Sequence, residues 1–367
     1  MRIRVAQLFD GTRLRQDVAL VVDNGLVSAV EVATTADLHQ IDYIVCPGYI
    51  DLQVNGGGGT LFNTDPTRDG LRKLAQAHAA SGTRHLLPTI ISDTPQVMRA
   101  AAEAIATSDV PGVLGLHLEG PHIAESRRGT HDARYLRPLD DTTLEIVHRL
   151  QHSGKCCLVT VAPEIVPPEE IAKLASLGAI VSIGHTDADA ATCNAAFAAG
   201  ARMVTHLFNA MSQLAPRAPG CVGATLESGM AAGLICDGIH VDAAVMRIAH
   251  HVMRGRLCLV SDSMATWNGP DTFLLYGAPI TLQDGRLVNS EGRLAGAHLS
   301  LETAVRQFVT DGVGTVEEAL TCAITAPAAV VGRADLAGVL GRPLHDLICI
   351  DSALRYLGNL SEHSQSF

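Results

Sequence analysis

The chain has 367 residues, 47% hydrophobic and 18% charged, with a formal net charge of −11. This length suits a barrel of ~250 residues with an accessory layer, and so apolar a composition excludes intrinsic disorder. The acidic balance argues against nucleic acid, whose phosphates need clustered Lys and Arg, but leaves room for a small anionic ligand held by a few local donors.

Met1-Arg2-Ile3-Arg4 opens the chain without an apolar signal segment, and no apolar run approaches the ~20 residues that cross a bilayer. The expectation is a cytoplasmic protein with no membrane partner. Asp10-Gly11 and Asp23-Asn24-Gly25 punctuate β-rich runs at Val18–Val22 and Leu26–Val32. Leu347–Ile350 is a further strand candidate near the other terminus. These runs predict a small β-sandwich domain built from residues 1–45 and 335–367, around a central unit spanning 46–334. The nine cysteines are odd in number and lack any CxxC pair. Several, such as Cys258 and Cys349, fall in apolar runs and read as buried thiols of a reducing compartment.

The middle alternates apolar runs with Ala- and Leu-rich helical stretches such as Leu71–Ser81, Gln96–Thr107 and Asp187–Ala199. Strands are expected at Tyr43–Val54, Arg84–Ile90, Gly112–Glu119, Cys156–Pro163, Ala179–His185, Ala201–Phe208, Ala231–His240 and Arg256–Ser263. Continuous rather than alternating apolarity marks parallel strands covered on both faces. Eight of them separated by helices predict an α/β fold, a closed (β/α)₈ TIM-type barrel, ahead of an open doubly wound sheet. No Gly-x-Gly-x-x-Gly follows the first strand, and Gly56–Gly59 lacks the Lys-Ser/Thr ending of a P-loop.

The strand ends carry the chemistry. The third closes with Glu119, the fifth with His185 and the seventh with His240, while the sixth passes through His206 and the eighth contains Asp262. In a (β/α)₈ barrel these ends share one mouth. A carboxylate ending so apolar a strand as Val113–Leu118 is costly unless paired or metal-bound. Glu119, His185 and His206 make a set of two imidazoles and one carboxylate, which leaves a fourth metal position for water, as in catalytic zinc sites. Asp262 suits a general base that later protonates a leaving group, and His131 and His240 suit substrate contact. Asp187 and Asp189 read as helix caps, and His250-His251 as structural. His117 shares Glu119's side of the strand and could support the ligands. Thr281–Val288, with Asp284-Gly285, reads as a hairpin and a candidate lid.

At these residues the chain resembles the amidohydrolase superfamily and, within it, the N-acetylglucosamine-6-phosphate deacetylases. The segments are Pro47-Gly48-Tyr49-Ile50-Asp51, His117-Leu118-Glu119-Gly120-Pro121-His122, Gly129-Thr130-His131, Gly184-His185-Thr186, Thr205-His206-Leu207-Phe208-Asn209-Ala210-Met211, Asp237-Gly238-Ile239-His240, Val260-Ser261-Asp262 and Leu294-Ala295-Gly296. The resemblance implies hydrolysis of the acetamide of a 6-phosphorylated amino sugar. It implies Glu119, His185 and His206 as metal ligands, with Asp262 and His131 as the catalytic pair. It implies substrate contacts from Thr130, His131, Asn209, Ala210, Arg217, Asp237, His240, Leu294, Ala295 and Gly296, and a homodimer in which a neighbouring subunit could complete the phosphate site. Where many amidohydrolases end their first strand with His-x-His, this chain has Gln53-Val54-Asn55, and neutral amides are poor zinc ligands. One divalent metal per subunit is therefore expected; zinc suits the ligands, and Fe²⁺, Mn²⁺ or Co²⁺ would also bind.

The galactosamine epimer is the alternative substrate. A cyclic-amide hydrolase or nucleoside deaminase is disfavoured by the missing His-x-His. A non-catalytic sugar-phosphate-binding protein is disfavoured because Glu119, His185, His206 and Asp262 are all present.

Overall fold

The computed structural model describes residues 1–34, 39–290 and 292–364. Residues 35–38, 291 and 365–367, the last three within the expected C-terminal β segment, lie outside the described residues. Each of the eight central apolar runs forms a strand: Tyr49–Val54, Thr83–Ile91, Gly115–Glu119, Cys156–Val161, Ile180–Ile183, Met203–Val204, Ala231–Ile235 and Leu257–Val260. They pair in parallel in sequence order. The ring is closed between its ends by backbone bonds, Asp262 N–H to the Gln53 carbonyl (3.0 Å) and Asn55 N–H to the Ser263 carbonyl (2.9 Å). This seam between first and eighth strands therefore runs through Asp262, the expected acid/base.

Helices cover the outside, among them Arg68–Ala79, Pro95–Ala106, Asp141–His152, Ala190–Ala198, Ala243–Val252 and Leu301–Thr310. Their starts follow the capping rule: Thr67, Thr94, Asp140, Asp189, Asp242 and Ser300 each accept a first-turn N–H. Asp189 is thus the cap expected of it, while Asp187 instead pairs with Arg127 (2.7 Å). His250 is buried against Phe308, in keeping with a structural role.

The later strands are shorter than their apolar runs. His185, His206, His240 and Asp262 lie just beyond the strand ends, not within them. The reason is backbone conformation: φ is +48° at His185, +29° at His206 and +48° at Asp262, with Phe208 and Ala210 also positive. Left-handed residues cannot continue a pleated strand, and non-glycine residues in that region cluster where function holds them. Each turn ends the ladder and faces its side chain to the mouth.

The remaining strands, Arg2–Phe9, Leu14–Asp23, Leu26–Val32, His39–Pro47, Leu347–Ile350 and Tyr356–Asn359, join both chain ends in one six-stranded mixed sheet. It has its own core of Ile3, Val5, Leu8, Leu20, Val45, Leu347 and Cys349. His39–Pro47 runs through Gly48 directly into the first barrel strand, and a Cβ at Gly48 would lie 2.0 Å from the Arg84 side chain. The expected hairpin is present, at Ala278–Gln283 and Arg286–Val288, and a third strand, Thr272–Leu275, extends it. This small sheet packs Leu275, Ile280 and Leu287 against Leu61, Ile91, Met264 and Ala295 beside the mouth. All nine thiols are free, eight of them buried and Cys156 half-buried. Among the described residues no helix is long and apolar enough to cross a membrane.

Candidate active site

Glu119 ends the third strand, fully buried, and one of its oxygens receives two imidazoles. His185 Nε2 lies 3.0 Å and His206 Nε2 2.9 Å from Oε1, and the two nitrogens are 3.0 Å apart. Gly184 makes this approach possible, since a Cβ there would lie 2.9 Å from both Thr160 and Thr205. His185 Nδ1 donates to the Arg127 carbonyl (2.8 Å), so its Nε2 offers a lone pair to the centre. Burial alone would raise Glu119; the imidazoles of His185 and His206 beside it hold it well below the usual carboxylate range. Three donor atoms of the types zinc prefers, brought this close around one point, fit a single divalent cation. Glu119, His131 and His185 also offer atoms within 4.8 Å of one another, but His131 turns a different nitrogen state to the centre.

Nδ1 of His131 receives the backbone N–H of Ser92 at 3.3 Å and lies 2.7 Å from Ser92 Oγ. A backbone N–H can only donate, so Nδ1 carries the lone pair, and the proton of the neutral ring sits on Nε2. Burial and the neighbouring His185 push this imidazole down to about 3, which keeps it neutral. His131 therefore presents an N–H rather than a ligand lone pair.

Asp262 is buried beside this cluster. Its Oδ1 accepts from Asn55 Nδ2 (2.7 Å) and Gln53 Nε2 (3.1 Å), and the same Gln53 nitrogen donates to Glu119 Oε1 (3.1 Å). Two-residue alternation along the first strand puts Gln53 and Asn55 on one face. Their amide N–H groups separate and satisfy two carboxylates that would otherwise repel. Burial first, and Glu119 second, push Asp262 up to about 7. A group so poised can exchange a proton near neutrality.

At the seventh strand, His240 Nδ1 donates to Asp237 Oδ2 (2.6 Å), and Asp237 also accepts the N–H groups of Ile239 and His240. Asp237 thus stands behind His240 instead of lining the pocket. Below the mouth, His117 bonds Thr160 Oγ1 (2.8 Å) and approaches Thr89 Oγ1 (3.4 Å). Neither bond reaches Glu119, His185 or His206.

Glu119, His131, His185, His206, His240 and Asp262 line one cavity of about 460 Å³, together with Thr130, Asn209, Ala210, Leu294 and Gly296. Ala295 is buried behind its neighbours. Arg217 is not brought there: it is exposed near the tip of a loop closed by an Ala215–Ala218 bridge. Arg127, Arg128 and Arg293, which the sequence did not single out, line the cavity instead. Sequence reading also missed Ser92, although it follows the second strand at the same barrel end that supplied every other candidate.

Residues 44–342 match the family described as the amidohydrolase family. An N-acetylgalactosamine-6-phosphate deacetylase of Shewanella sp. (strain ANA-3) is 36% identical over 96% of this chain and 92% of that protein. An N-acetylglucosamine-6-phosphate deacetylase of Haemophilus influenzae is 30% identical over 88% of this chain and 87% of that protein. The structure of an aspartate-to-alanine mutant of N-acetyl-D-glucosamine-6-phosphate deacetylase from Mycobacterium smegmatis, in complex with N-acetyl-D-glucosamine-6-phosphate, superposes with a TM-score of 0.89 at 27% identity. It covers 97% of this chain and 96% of that one. The chain belongs to the amidohydrolase family. Within it, the chain groups with deacetylases of 6-phosphorylated N-acetylhexosamines.

Proposed function

We propose that this protein hydrolyses N-acetyl-D-glucosamine 6-phosphate to D-glucosamine 6-phosphate and acetate. The observation that carries the reading is the meeting of Glu119, His185 and His206 within 3.0 Å, with Asp262 and the N–H of His131 facing the same cavity. Glu119, His185 and His206 would hold one divalent cation, zinc by its preference for such donors. When bound, that cation makes hydroxide available at neutral pH and draws electron density from a carbonyl.

The chain's own residues supply the rest. Asp262 takes the proton of the attacking water and returns it to the departing amine nitrogen. His131 directs its Nε2–H at the acetamide oxygen, where negative charge develops. Gln53 and Asn55 engage Asp262 through their N–H groups, and neutral amides are poor ligands for a second cation beside imidazole and carboxylate. Thr130, Asn209, Ala210 and His240 orient the sugar. Arg127, Arg128 and Arg293 supply cationic donors at the rim, where guanidinium suits a phosphate. The exposed loop of Arg217 suits presentation to the phosphate of a neighbouring subunit in a homodimer.

The galacto epimer is a second reading, favoured by the 36% identity to the Shewanella enzyme. Acetate release from both epimers, phosphorylated and unphosphorylated, tests the reading, with and without chelator. The expected result is chelator-sensitive release from N-acetylglucosamine 6-phosphate with the higher kcat/KM. Faster turnover of the galacto epimer selects the second reading, and no acetate from either refutes both.

A further inference from the structure

The inserted three-stranded sheet reaches the loop of Ser92 through a side chain. Tyr276 Oη donates to the backbone carbonyl of Ser92 at 2.6 Å, and Ser92 is the residue that holds Nδ1 of His131 through both its hydroxyl and its N–H. The tyrosine ring also meets Tyr135, four residues beyond His131, with centroids 5.6 Å apart. Tyr276 thus contacts both the loop that holds Ser92 and the loop that carries His131.

Two further features are hard to explain by packing alone. Tyr276 and Gly277 form a tight turn with φ of +51° and +84°. The first position of such a turn favours Asn, Asp or Gly, and a bulky residue in this backbone region is an outlier. Tyrosine is held there although it costs strain, and its hydroxyl reaches the residue that holds Nδ1 of His131. On the other side, Gly120 (φ +78°) follows Glu119, and a Cβ there would lie 2.4 Å from Ser92 Oγ. The space in which Ser92 meets His131 exists only because position 120 lacks a side chain. Ser92 itself is buried, so water does not compete for the imidazole.

We propose that Ser92 and Tyr276 are positioning residues: Ser92 fixes His131 in the tautomer that points Nε2–H into the cavity, and Tyr276 anchors Ser92 from the inserted sheet. This rests on the reading of His131 as the donor to the acetamide oxygen. Without the Ser92 hydroxyl, only the longer backbone N–H contact at 3.3 Å holds the lone pair on Nδ1, and the ring more readily presents Nε2 without its proton, which repels a developing oxyanion. The sheet at 272–288 is then part of the catalytic apparatus although its strands do not line the cavity.

The test is ¹⁵N NMR of histidine-labelled, zinc-loaded enzyme, with His131 assigned by its loss in His131→Asn, alongside steady-state kinetics. In the unaltered protein, Nδ1 of His131 should show the signature of an unprotonated nitrogen and Nε2 that of a protonated one. Ser92→Ala should move both signals toward a tautomer mixture and lower kcat by about tenfold or more, with KM changed less than about twofold. Tyr276→Phe keeps the ring and should lower kcat by about three- to tenfold, with a smaller shift in the same direction. A protonated Nδ1 in the unaltered protein, or unchanged His131 signals in Ser92→Ala, overturns the proposal. Shifted signals with unchanged kcat uphold Ser92 as the tautomer-setting residue and instead remove His131 from the chemistry.

Discussion

The terminal sheet and the barrel mouth both hold pairs of opposite charge, in contrary surroundings. In the terminal sheet, Arg2 pairs with Glu31 across the intervening strand Leu14–Asp23 and Arg4 with Asp17 on the neighbouring one, all about one-third exposed or more. Water screens such pairs, and removing one leaves a solvated partner. At the mouth, Glu119, Asp262, His185 and His206 are buried within a few ångströms of one another, and the two carboxylates are satisfied by neighbouring imidazoles, by the N–H groups of Gln53 and Asn55, and by the cation the set fits. The apolar core of the first region is what makes it stable. The second spends stability on five left-handed non-glycine residues between 185 and 262 to hold an arrangement useful only for chemistry.

That contrast can be broken at either end. Asp262→Asn keeps the hydrogen-bonding shape and should cost about 10²–10⁴-fold in kcat while the fold and metal content persist. The acid limb of the pH–rate profile should vanish with it, because that limb records the loss of the base form as pH falls through the Asp262 pKa. Near-normal turnover would remove Asp262 from the mechanism. Gln53→Ala leaves Glu119 and Asp262 without their shared donor and should cost about 10–100-fold in activity or metal affinity, read by kinetics together with metal analysis. Asp17→Ala in the terminal sheet should change unfolding free energy by no more than about 0.5 kcal/mol and leave kcat/KM alone. A larger effect measured by denaturant titration would mean that the two regions are coupled more tightly than their chemistry suggests.

The elements readable from sequence were those whose physics is local in composition. The eight barrel strands stood out because strands covered on both faces are apolar without interruption, and Glu119, His185 and His206 stood out because a polar residue closes or interrupts such a run. What escaped depends on backbone direction or on partners distant along the chain. The run at 201–208 reads as one strand, yet only Met203–Val204 pairs as one, since positive φ at His206 and Phe208 leaves no mark in residue type. Gln53 and Asn55 were legible as an absence of metal ligands, but their bonds to Asp262 span more than 200 residues. Thr272–Leu275 went unread because Tyr276-Gly277 lacks the Asn-Gly or Asp-Gly signal of its turn. Arg217 was singled out through resemblance, and it stands exposed on its loop rather than at the cavity.

Gly48 links these regions in a way that bears on how the protein can be cut. The strand that anchors both chain ends continues through it into the rail that carries Gln53 and Asn55, and Leu347–Ile350 is zipped onto Ile44–Pro47 of that strand. The two ends therefore work as a clasp with interleaved halves. Trimming either one strips a partner from the other and loosens the rail, so neither terminus can serve as a dispensable appendage in a shortened enzyme.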